Sequence, residues 1–445
     1  MTLVIEGGLV VRRLFPPLME RADILVAGTR ITAVAPRVGE GGKRIDASGC
    51  LVVPGNVNGH THAYSALARG MPLGVEPPRN FLEILQRLWW RLDRALDDAS
   101  IRASALVAAK DALLAGTTTL IDHHSSPNAI DGSLDIIAET FTHAGIRSVL
   151  AYEVSDRDGP ARARAGLAEN ERFIRSRRWL REPLSRPMIG AHAAFSLSDE
   201  TLQACAGLAV ETGHGLHIHA GEDAIDAGAI RRLAGAGVLD NRLLIAHAIN
   251  VDADEAADIV EHRVAVAHNA RSNMNNGVGR ARLGELGERV MLGTDGIGSD
   301  MWAEASAAYF RQREERVDAP IEWLTAAMAQ GSAFVGGLFD EPQLGLIDPG
   351  APADLAVLDY SAPTPLDAGN LAAHLVLGMS APVVRDVIVA GELVLRDRRL
   401  MRVDESEIDH LARRQARALW ARFEDTPVHA FEPLTSRASL LAGSR

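Results

Sequence analysis

Short apolar segments alternate with amphipathic ones through the middle of the chain, from about residue 55 to residue 345. The apolar segments are near-continuous, which is typical of parallel strands buried on both faces. We predict eight such strands: Val52–His62, Thr117–His124, Arg147–Val154, Met188–Ala194, Gly215–Ala220, Leu243–His247, Val264–His268 and Arg289–Asp295.

The segments between these strands have the periodicity of amphipathic helices. The predicted helices include Ala99–Ala115, Ser133–Ala144, Ala161–Trp179, Asp199–Thr212 and Asp252–Glu261. Three of them begin at residues suited to N-capping, namely Ser133, Ser198 and Asp252. Eight strand–helix units in about 290 residues indicate a protein of the α/β class with a (β/α)8 TIM barrel.

Both ends of the chain are rich in β-strands. Ala22–Val34 has the pattern of a hairpin, Asp386–Leu395 repeats that pattern near the other end, and Ala353–Tyr360 is a further short strand. The simplest interpretation is one small β-domain built from both termini around a central insertion. We therefore predict a composite β-sandwich over residues 1–54 and 346–403, and a TIM-barrel domain over residues 55–345.

The remaining residues, 404–445, are predicted as a C-terminal helix and tail. The Arg-rich pattern is helical as far as about Phe423, and we expect a docked surface helix with a loose end after Thr426.

Composition narrows the class of protein. The net charge of −12 gives no support for nucleic-acid binding. The two cysteines, Cys50 and Cys205, exclude a disulfide scaffold and fit a reducing, cytoplasmic location. We see no signal peptide and no apolar run long enough to span a membrane. A homodimer or higher homo-oligomer is the general expectation for such a chain.

Histidines collect where the predicted strands end. Nine of the fifteen lie there: His60, His62, His123, His124, His192, His217, His219, His247 and His268. A TIM barrel carries its active site on that rim, so the clustering predicts a metal centre. His60 and His62 are spaced i, i+2, which puts both imidazoles on one face of a strand.

The fifth predicted strand supplies a further ligand and a carboxylate. It ends His217-Ile-His219-Ala-Gly-Glu222, and alternation alone allows either His217 or His219 to be the ligand. The spacing to Glu222 favours His219, because a carboxylate three residues on can reach a metal-activated water as a general acid or base.

Strands six and eight end in residues that could complete the site. Asp295 could bind the metal or cap the next helix, and His247 could bind it, hold its water or orient another ligand. Mixed His/Asp ligation suits Zn²⁺ or Fe²⁺. Neither lysine lies at the end of strand four, which argues against a carboxylated-lysine bridge and for one metal ion.

Other residues near the rim are candidates for contacting a small-molecule substrate. They are Tyr64, Arg69, His123, His192, Asn273 and Ser299. Trp89-Trp90 lies in a helical stretch, where core packing or a subunit contact is favoured over stacking on substrate.

These motifs resemble those of the amidohydrolase superfamily, in its aminohydrolase or deaminase branch, which holds chlorohydrolase-like and guanine deaminase-like enzymes. The more specific resemblance is to SsnA-type aminohydrolases. It rests on Tyr64–Gly70, Leu88–Asp97, Ile121–His124, Gly215–Ala220, His268–Asn276 and Leu292–Met301.

The resemblance implies roles for individual residues. His60, His62, His219 and Asp295 would bind one divalent metal, Zn rather than Fe. Glu222 would move protons, while His247, with Asp295, would act on the hydrolytic water.

The expected reaction is hydrolytic deamination of a small aminated nitrogen heterocycle, purine-, pteridine- or pyrimidine-like, with release of ammonia. One alternative is hydrolysis of a C–Cl or cyclic amide bond on the same fold, and another is a non-catalytic homologue that binds metal or ligand. A cysteine-ligated zinc deaminase is excluded, because the chain has no Pro-Cys-x-x-Cys.

Overall fold

Eight parallel strands form the central barrel of the computed structural model, which describes residues 2–39, 41–176 and 182–433. In chain order and in spatial order they are Asn56–Thr61, Thr117–His124, Arg147–Val154, Ile189–Ala193, Leu216–Ala220, Leu244–His247, Ala265–His268 and Val290–Leu292. A parallel bridge between Thr61 and Asp295 joins the last segment to the first. The predicted TIM barrel is confirmed.

The predicted strand Val52–His62 was wrong as a single element. It is two strands, Leu51–Pro54 in the terminal sheet and Asn56–Thr61 in the barrel. The backbone changes partner at Gly55, whose N–H donates to Asp354, while the N–H of Asn56 donates to Gly116. Only glycine fits there, since a Cβ on Gly55 would lie 2.2 Å from the Thr118 side chain.

Helices pack around the barrel and follow the predicted pattern. Their bounds are Phe81–Ile84, Trp90–Ala95, Asp98–Leu114, Ser133–Ala144, Pro160–Arg175, Asp199–Thr212, Ala229–Gly235, Ala253–Glu261, Ala270–Asn276, Met301–Glu315, Trp323–Leu338, Leu371–Gly378 and Glu405–Asp425. The end of the predicted helix Ala161–Trp179 lies outside the described residues. Among the described helices, none combines the length and hydropathy needed to cross a membrane.

Two of the three predicted N-caps are confirmed. The side chains of Ser198 and Asp252 accept hydrogen bonds from the backbone N–H groups of Thr201 and Glu255. Ser133 was wrong as an N-cap, because Gly132 occupies that position in a left-handed conformation that favours glycine.

Strands from both termini form one nine-stranded sheet. They are Thr2–Arg13, Leu18–Ala27, Arg30–Ala35, Lys43–Asp46, Leu51–Pro54, Leu355–Leu358, Val384–Val389, Glu392–Arg396 and Arg399–Leu400. The two ends of the chain meet where Leu51–Pro54 pairs antiparallel with Leu355–Leu358. The composite β-structure is therefore present, and the domain boundaries given above remain a prediction.

The C-terminal helix is longer and its continuation better packed than the sequence indicates. Leu419 and Phe423 are buried. Beyond the helix, the backbone N–H of His429 donates to the carbonyl of Gln86, and the Gln86 amide donates to Phe431. The loose end expected after Thr426 was wrong as far as residue 433, and residues 434–445 lie outside the described part.

A buried ion pair joins the terminal sheet to the barrel. Arg147, at the start of the third barrel strand, forms two hydrogen bonds with the Asp354 carboxylate, at 2.9 and 3.2 Å. The same carboxylate accepts a hydrogen bond from the backbone of Ala390. Both charged side chains are about 95% buried. Each therefore needs the opposite charge of the other to offset the cost of removing it from water.

Replacing Asp354 by alanine should therefore lower the free energy of unfolding by about 3–5 kcal/mol, because it leaves the Arg147 charge buried and unpaired. Urea unfolding followed by tryptophan fluorescence would measure the change. The matched control is Glu211→Ala, which removes an exposed ion pair with Arg175. This variant should lower the free energy of unfolding by less than about 1 kcal/mol. A loss as small as that of the control would contradict the role given to this pair.

Candidate metal centre

Closure of the barrel brings the first and last strands together at the predicted ligands. The backbone N–H groups of Thr294 and Asp295 both donate to the carbonyl of His60, at 2.9 Å. The N–H of His62 donates back to the carbonyl of Asp295, at 3.3 Å. The side chains of His60, His62 and Asp295 consequently project from one small area at the rim.

Side-chain donors from four strands converge there. The Nε2 of His62 lies 3.0 Å from Oδ1 of Asp295 and 3.1 Å from Nε2 of His219. The Nε2 of His60 lies 3.5 Å from the same carboxylate oxygen. Ligand atoms of His60, His219, His247 and Asp295 all lie within 4.8 Å of one another.

Neighbouring groups set which ring nitrogen faces the centre. The Nδ1 atoms of His62 and His219 lie 2.6 Å from the carbonyl oxygens of His123 and His192, which can only accept a hydrogen bond. Each ring therefore donates from Nδ1, which leaves Nε2 as the nitrogen that faces the centre. The Nδ1 of His60 is also held, by a hydrogen bond of 2.9 Å to Nε2 of His217, and this orients the ring with Nε2 toward the centre.

These residues fit a metal ion by the state of their donor atoms. The Nε2 atoms of His60 and His247 are buried and lack a hydrogen-bond partner among the described residues. Buried polar atoms without partners are uncommon and call for an explanation. A divalent ion among three or four imidazoles and one carboxylate would satisfy them.

The electrostatics also favour a cation. Burial lowers the pKa of His60 to about 3, so its ring is neutral. Burial acts in the same direction on His62, yet the Asp295 carboxylate raises the pKa of His62 to about 9. Burial alone would raise the pKa of Asp295, but its contacts with His60 and His62 hold it well below the usual range. A site that draws a proton onto a buried imidazole is one that stabilises positive charge.

Two of the residues have strained backbones. His247 has φ of 79° and Asp295 has φ of 55°, both in the left-handed region that non-glycine residues seldom adopt. Strain of this kind persists only where the surrounding structure enforces it, and it gathers at functional sites. Here it turns each side chain inward at the end of its strand.

Glu222 lies beside the ligand cluster, at the position the sequence indicates. Its Oε2 is 3.5 Å from Nε2 of His247, and its Oε1 accepts a hydrogen bond from Asn276 at 3.3 Å. Burial and the nearby Asp295 charge raise the pKa of Glu222 well above its ordinary value, which favours the protonated carboxyl. It is therefore arranged as a proton donor.

A pocket opens beside this cluster. Its lining residues are His62, Tyr64, Phe81, Leu85, Trp89, Trp90, Glu153, Arg157, His192, Ala193, Phe195, His219, Glu222, Asp226, Asn276, Asp295 and Gly296. Tyr64 and His192, predicted from the sequence to contact substrate, are among them. Trp89 and Trp90 also line the pocket, although the sequence pattern favours core packing or a subunit contact for them. Leu85–Trp89 is a π-helical turn, a feature frequent at functional sites.

The other four predicted substrate contacts lie elsewhere. Asn273 accepts a hydrogen bond from Nδ1 of His247, at 2.8 Å, and His123 packs behind His62. Arg69 is exposed and pairs with Asp111, and the Ser299 hydroxyl accepts a hydrogen bond from Asn58. Arg69 and Ser299 both border a neighbouring cleft that shares His62 with the pocket.

Sequence reasoning missed a buried charge cluster on the pocket wall. It consists of Glu153, at the end of the third barrel strand, Arg157 in the following loop, and Asp93, which pairs with Arg157. A signal was present in the sequence, because Glu153 is a charged residue that follows the run Val149–Tyr152 at the C-terminal end of its strand.

Comparison with known proteins agrees with this geometry. The chain matches the amidohydrolase family over residues 51–394 and belongs to that family. A 5'-deoxyadenosine deaminase of Methanopyrus kandleri is 30% identical over 80% of this chain and 84% of its own length. A 5-methylthioadenosine/S-adenosylhomocysteine deaminase of Haloarcula marismortui is 32% identical over 95% of this chain and 99% of its own.

Solved structures share the fold. An adenosine deaminase from Xanthomonas campestris with bound zinc superposes with a TM-score of 0.82 at 23% identity, covering 94% of this chain and 98% of that one. Atrazine chlorohydrolase from Arthrobacter aurescens, complexed with zinc, has a TM-score of 0.79 at 25% identity, covering 94% and 100%. The family resemblance is confirmed, while the narrower SsnA-type resemblance stays a prediction.

Substitution of a ligand should empty the metal centre. We expect His219→Ala to carry less than about a tenth of the wild-type metal, because one inward-facing nitrogen is lost. Inductively coupled plasma mass spectrometry of the purified protein would measure it. His268→Ala is the matched control, since His268 is also a buried histidine at a strand end but lies outside the cluster. Equal metal in both variants would remove His219 from the ligand set.

Proposed function

We propose that this protein is a metal-dependent aminohydrolase that removes an exocyclic amino group from a nitrogen heterocycle and releases ammonia. The observation that carries the proposal is the placement of Glu222. A buried carboxyl with a raised pKa stands beside a converging His/Asp cluster and lines a pocket. Close relatives named as deaminases of adenosine-type compounds support the same reaction.

In the proposed site His60, His62, His219 and Asp295 hold one divalent ion, for which zinc is the stronger candidate than iron. Such an ion, when bound, lowers the pKa of a coordinated water toward neutrality. Zinc bound by the two structural neighbours supports this choice. Iron would be bound by the same donor types, so metal analysis decides between them.

The residues of the chain then carry the protons. Asp295 is held as a carboxylate and accepts the proton of the attacking water. His247 is fixed through its Nδ1 by Asn273, which aims its Nε2 at the centre to hold that water. Glu222 donates its proton to the ring nitrogen next to the reacting carbon, takes up the hydroxyl proton of the resulting adduct and passes it to the leaving amine. The proton held by Asp295 then restores Glu222.

The proposed location is cytoplasmic. Cys50 and Cys205 are both free and buried in the described structure, as expected for a reducing compartment. The substrate is a small molecule, and the acidic net charge argues against a nucleic-acid partner.

Replacing Glu222 by glutamine should lower kcat for ammonia release at least about 100-fold, because the amide cannot pass a proton. The metal content should not change. Ammonia would be followed with a coupled glutamate dehydrogenase assay over aminated purines, pteridines and pyrimidines. Near-full activity would refute the acid–base role.

The neighbouring carboxylate provides a matched control. Asp223 caps a short helical turn, and asparagine can cap it equally well, so Asp223→Asn should keep most of the activity.

Chloride release from chlorinated heterocycles, measured in parallel, tests the dehalogenation alternative. Chloride without ammonia would favour that alternative over deamination.

A further inference from the structure

Glu153 is a buried carboxylate that the reaction described above does not use. Its side chain is 2% exposed and borders the pocket. Within the described residues it accepts no hydrogen bond of normal geometry. Its closest polar neighbours are Nδ1 of His123 at 3.3 Å and Nδ1 of His219 at 3.8 Å. The Arg157 guanidinium offsets the charge of Glu153 from 3.9 Å, but it is too far away to form a hydrogen bond. A hydrogen-bond partner for this carboxylate would have to come from the pocket that it borders.

The histidine facing Glu153 does not supply that partner. The Nε2 of His123 lies 3.1 Å from the carbonyl oxygen of His217, so this nitrogen carries the proton. In the neutral ring, Nδ1 of His123 is then an acceptor, and it has no hydrogen-bond partner. Two acceptors therefore face each other at the pocket wall, an arrangement suited to an N–H donor from outside the chain.

A second metal ion explains Glu153 less well. Ligand atoms of His62, His123, Glu153 and His219 do lie within 4.8 Å of one another. However, His62 and His219 use Nδ1 to donate to backbone carbonyls, and they direct Nε2 to the metal centre described above, with His60 and Asp295. That leaves His123 and Glu153, which are too few ligands for an independent site.

A hydrogen-bond donor stands next to Glu153. The Nη2 of Arg157 lies 3.9 Å from Oε2 of Glu153 and is occupied by Asp93 and by the hydroxyl of Ser125. Its Nη1 makes no hydrogen bond to any residue in the described part of the chain. Arg157 also borders the pocket. The wall thus offers an acceptor and a donor side by side, both available to a ligand.

The rest of the pocket limits what can bind there. Arg157 is the one arginine or lysine among the pocket-lining residues, and its Nη2 is already bonded to Asp93. The wall beside Glu153 therefore offers little to a multiply charged anion such as a nucleotide. Phe81, Leu85 and the two tryptophans line the same pocket and give it an apolar and aromatic wall suited to a flat ring.

We propose that Glu153 and Arg157 are the substrate-recognition pair, and that the substrate is a small uncharged heterocycle with a ring N–H next to a carbonyl oxygen. Glu153 accepts the hydrogen bond from the ring N–H, and Arg157 donates to the carbonyl. The substrate is then an aminated lactam base rather than an adenosine-type nucleoside. This inference rests on the deaminase function proposed above.

The test uses matched pairs that differ only in the lactam group. They are isocytosine against 2-aminopyrimidine, pterin against 2-aminopteridine, and guanine against 2-aminopurine. We expect wild-type kcat/KM to favour the lactam of at least one pair by about 100-fold or more, since a site built to bond an N–H rejects the analogue without it. Equal kcat/KM within every pair would overturn the inference.

Substitution of Glu153 separates recognition from support of the metal ligands. Glu153→Met is similar in size but has no hydrogen-bond acceptor, so it should reduce the kcat/KM preference for the lactam over its matched analogue to less than about 10-fold. Glu153→Gln keeps an acceptor oxygen and should show a preference between those of Glu153→Met and the wild type. Metal content and melting temperature should stay near wild type. A uniform loss for both members of a pair, together with lost metal, would show that Glu153 only supports the histidines. Glu169→Gln, which alters a buried carboxylate away from the pocket, is the control and should keep the preference.

Binding without turnover separates this inference from the proposed function. Isothermal titration of metal-loaded Glu222→Gln protein with isocytosine, pterin and guanine and their partners measures selectivity when no reaction occurs. Selective binding of lactams with no ammonia release from the wild type would refute the deaminase function and keep the recognition pair. Ammonia release without any lactam selectivity would refute the recognition pair alone.

Discussion

The closure of the barrel is the constraint on which the site depends. Two backbone N–H groups, of Thr294 and Asp295, donate to the single carbonyl of His60, and His62 donates back to Asp295. These bonds join strands that lie more than 230 residues apart in the chain, as the His60–Thr294 bond shows. The same bonds force the left-handed backbone of Asp295 that turns its carboxylate toward the imidazoles. The barrel and the metal centre are therefore built by one set of contacts.

Around this closure the site is organised in layers with different tasks. Backbone carbonyls at the ends of neighbouring strands set the tautomers of His62 and His219, so rigid sheet geometry aims the metal ligands. Beyond the strand ends, Asn273 on the helix Ala270–Asn276 orients His247, and Glu222 is the proposed proton donor. The third layer is the proposed recognition pair, Glu153 and Arg157, on the pocket wall. This division explains how a shared reaction can serve different substrates, because only the outer layer must change.

Local sequence patterns correctly predicted several strands, two helix caps and the direction of two histidines. The bounds of Thr117–His124 and Arg147–Val154 match the prediction because each segment has a short apolar centre, which strands buried on both faces need. The inward position of His60 and His62 follows from the two-residue period of a strand. Ser198 and Asp252 were recognisable as caps, because capping is an interaction within four residues. All of these properties are settled by neighbours in the chain.

Contacts between distant residues decided the rest. The choice of His219 as the inward donor, with His217 bonded to His60, depends on where two other strands place their carbonyls and rings. Arg69 turned to Asp111, and Trp90 reached the pocket wall, because helix packing directs side chains that periodicity leaves free. The pairing of Arg157 with Asp93 joins residues 64 positions apart in the chain. The sequence by itself determined the barrel and the kinds of ligand it carries, since these follow from local periodicity and residue chemistry. Only the tertiary structure decided which atoms meet, because side-chain direction at the rim is set by hydrogen bonds across the closed barrel.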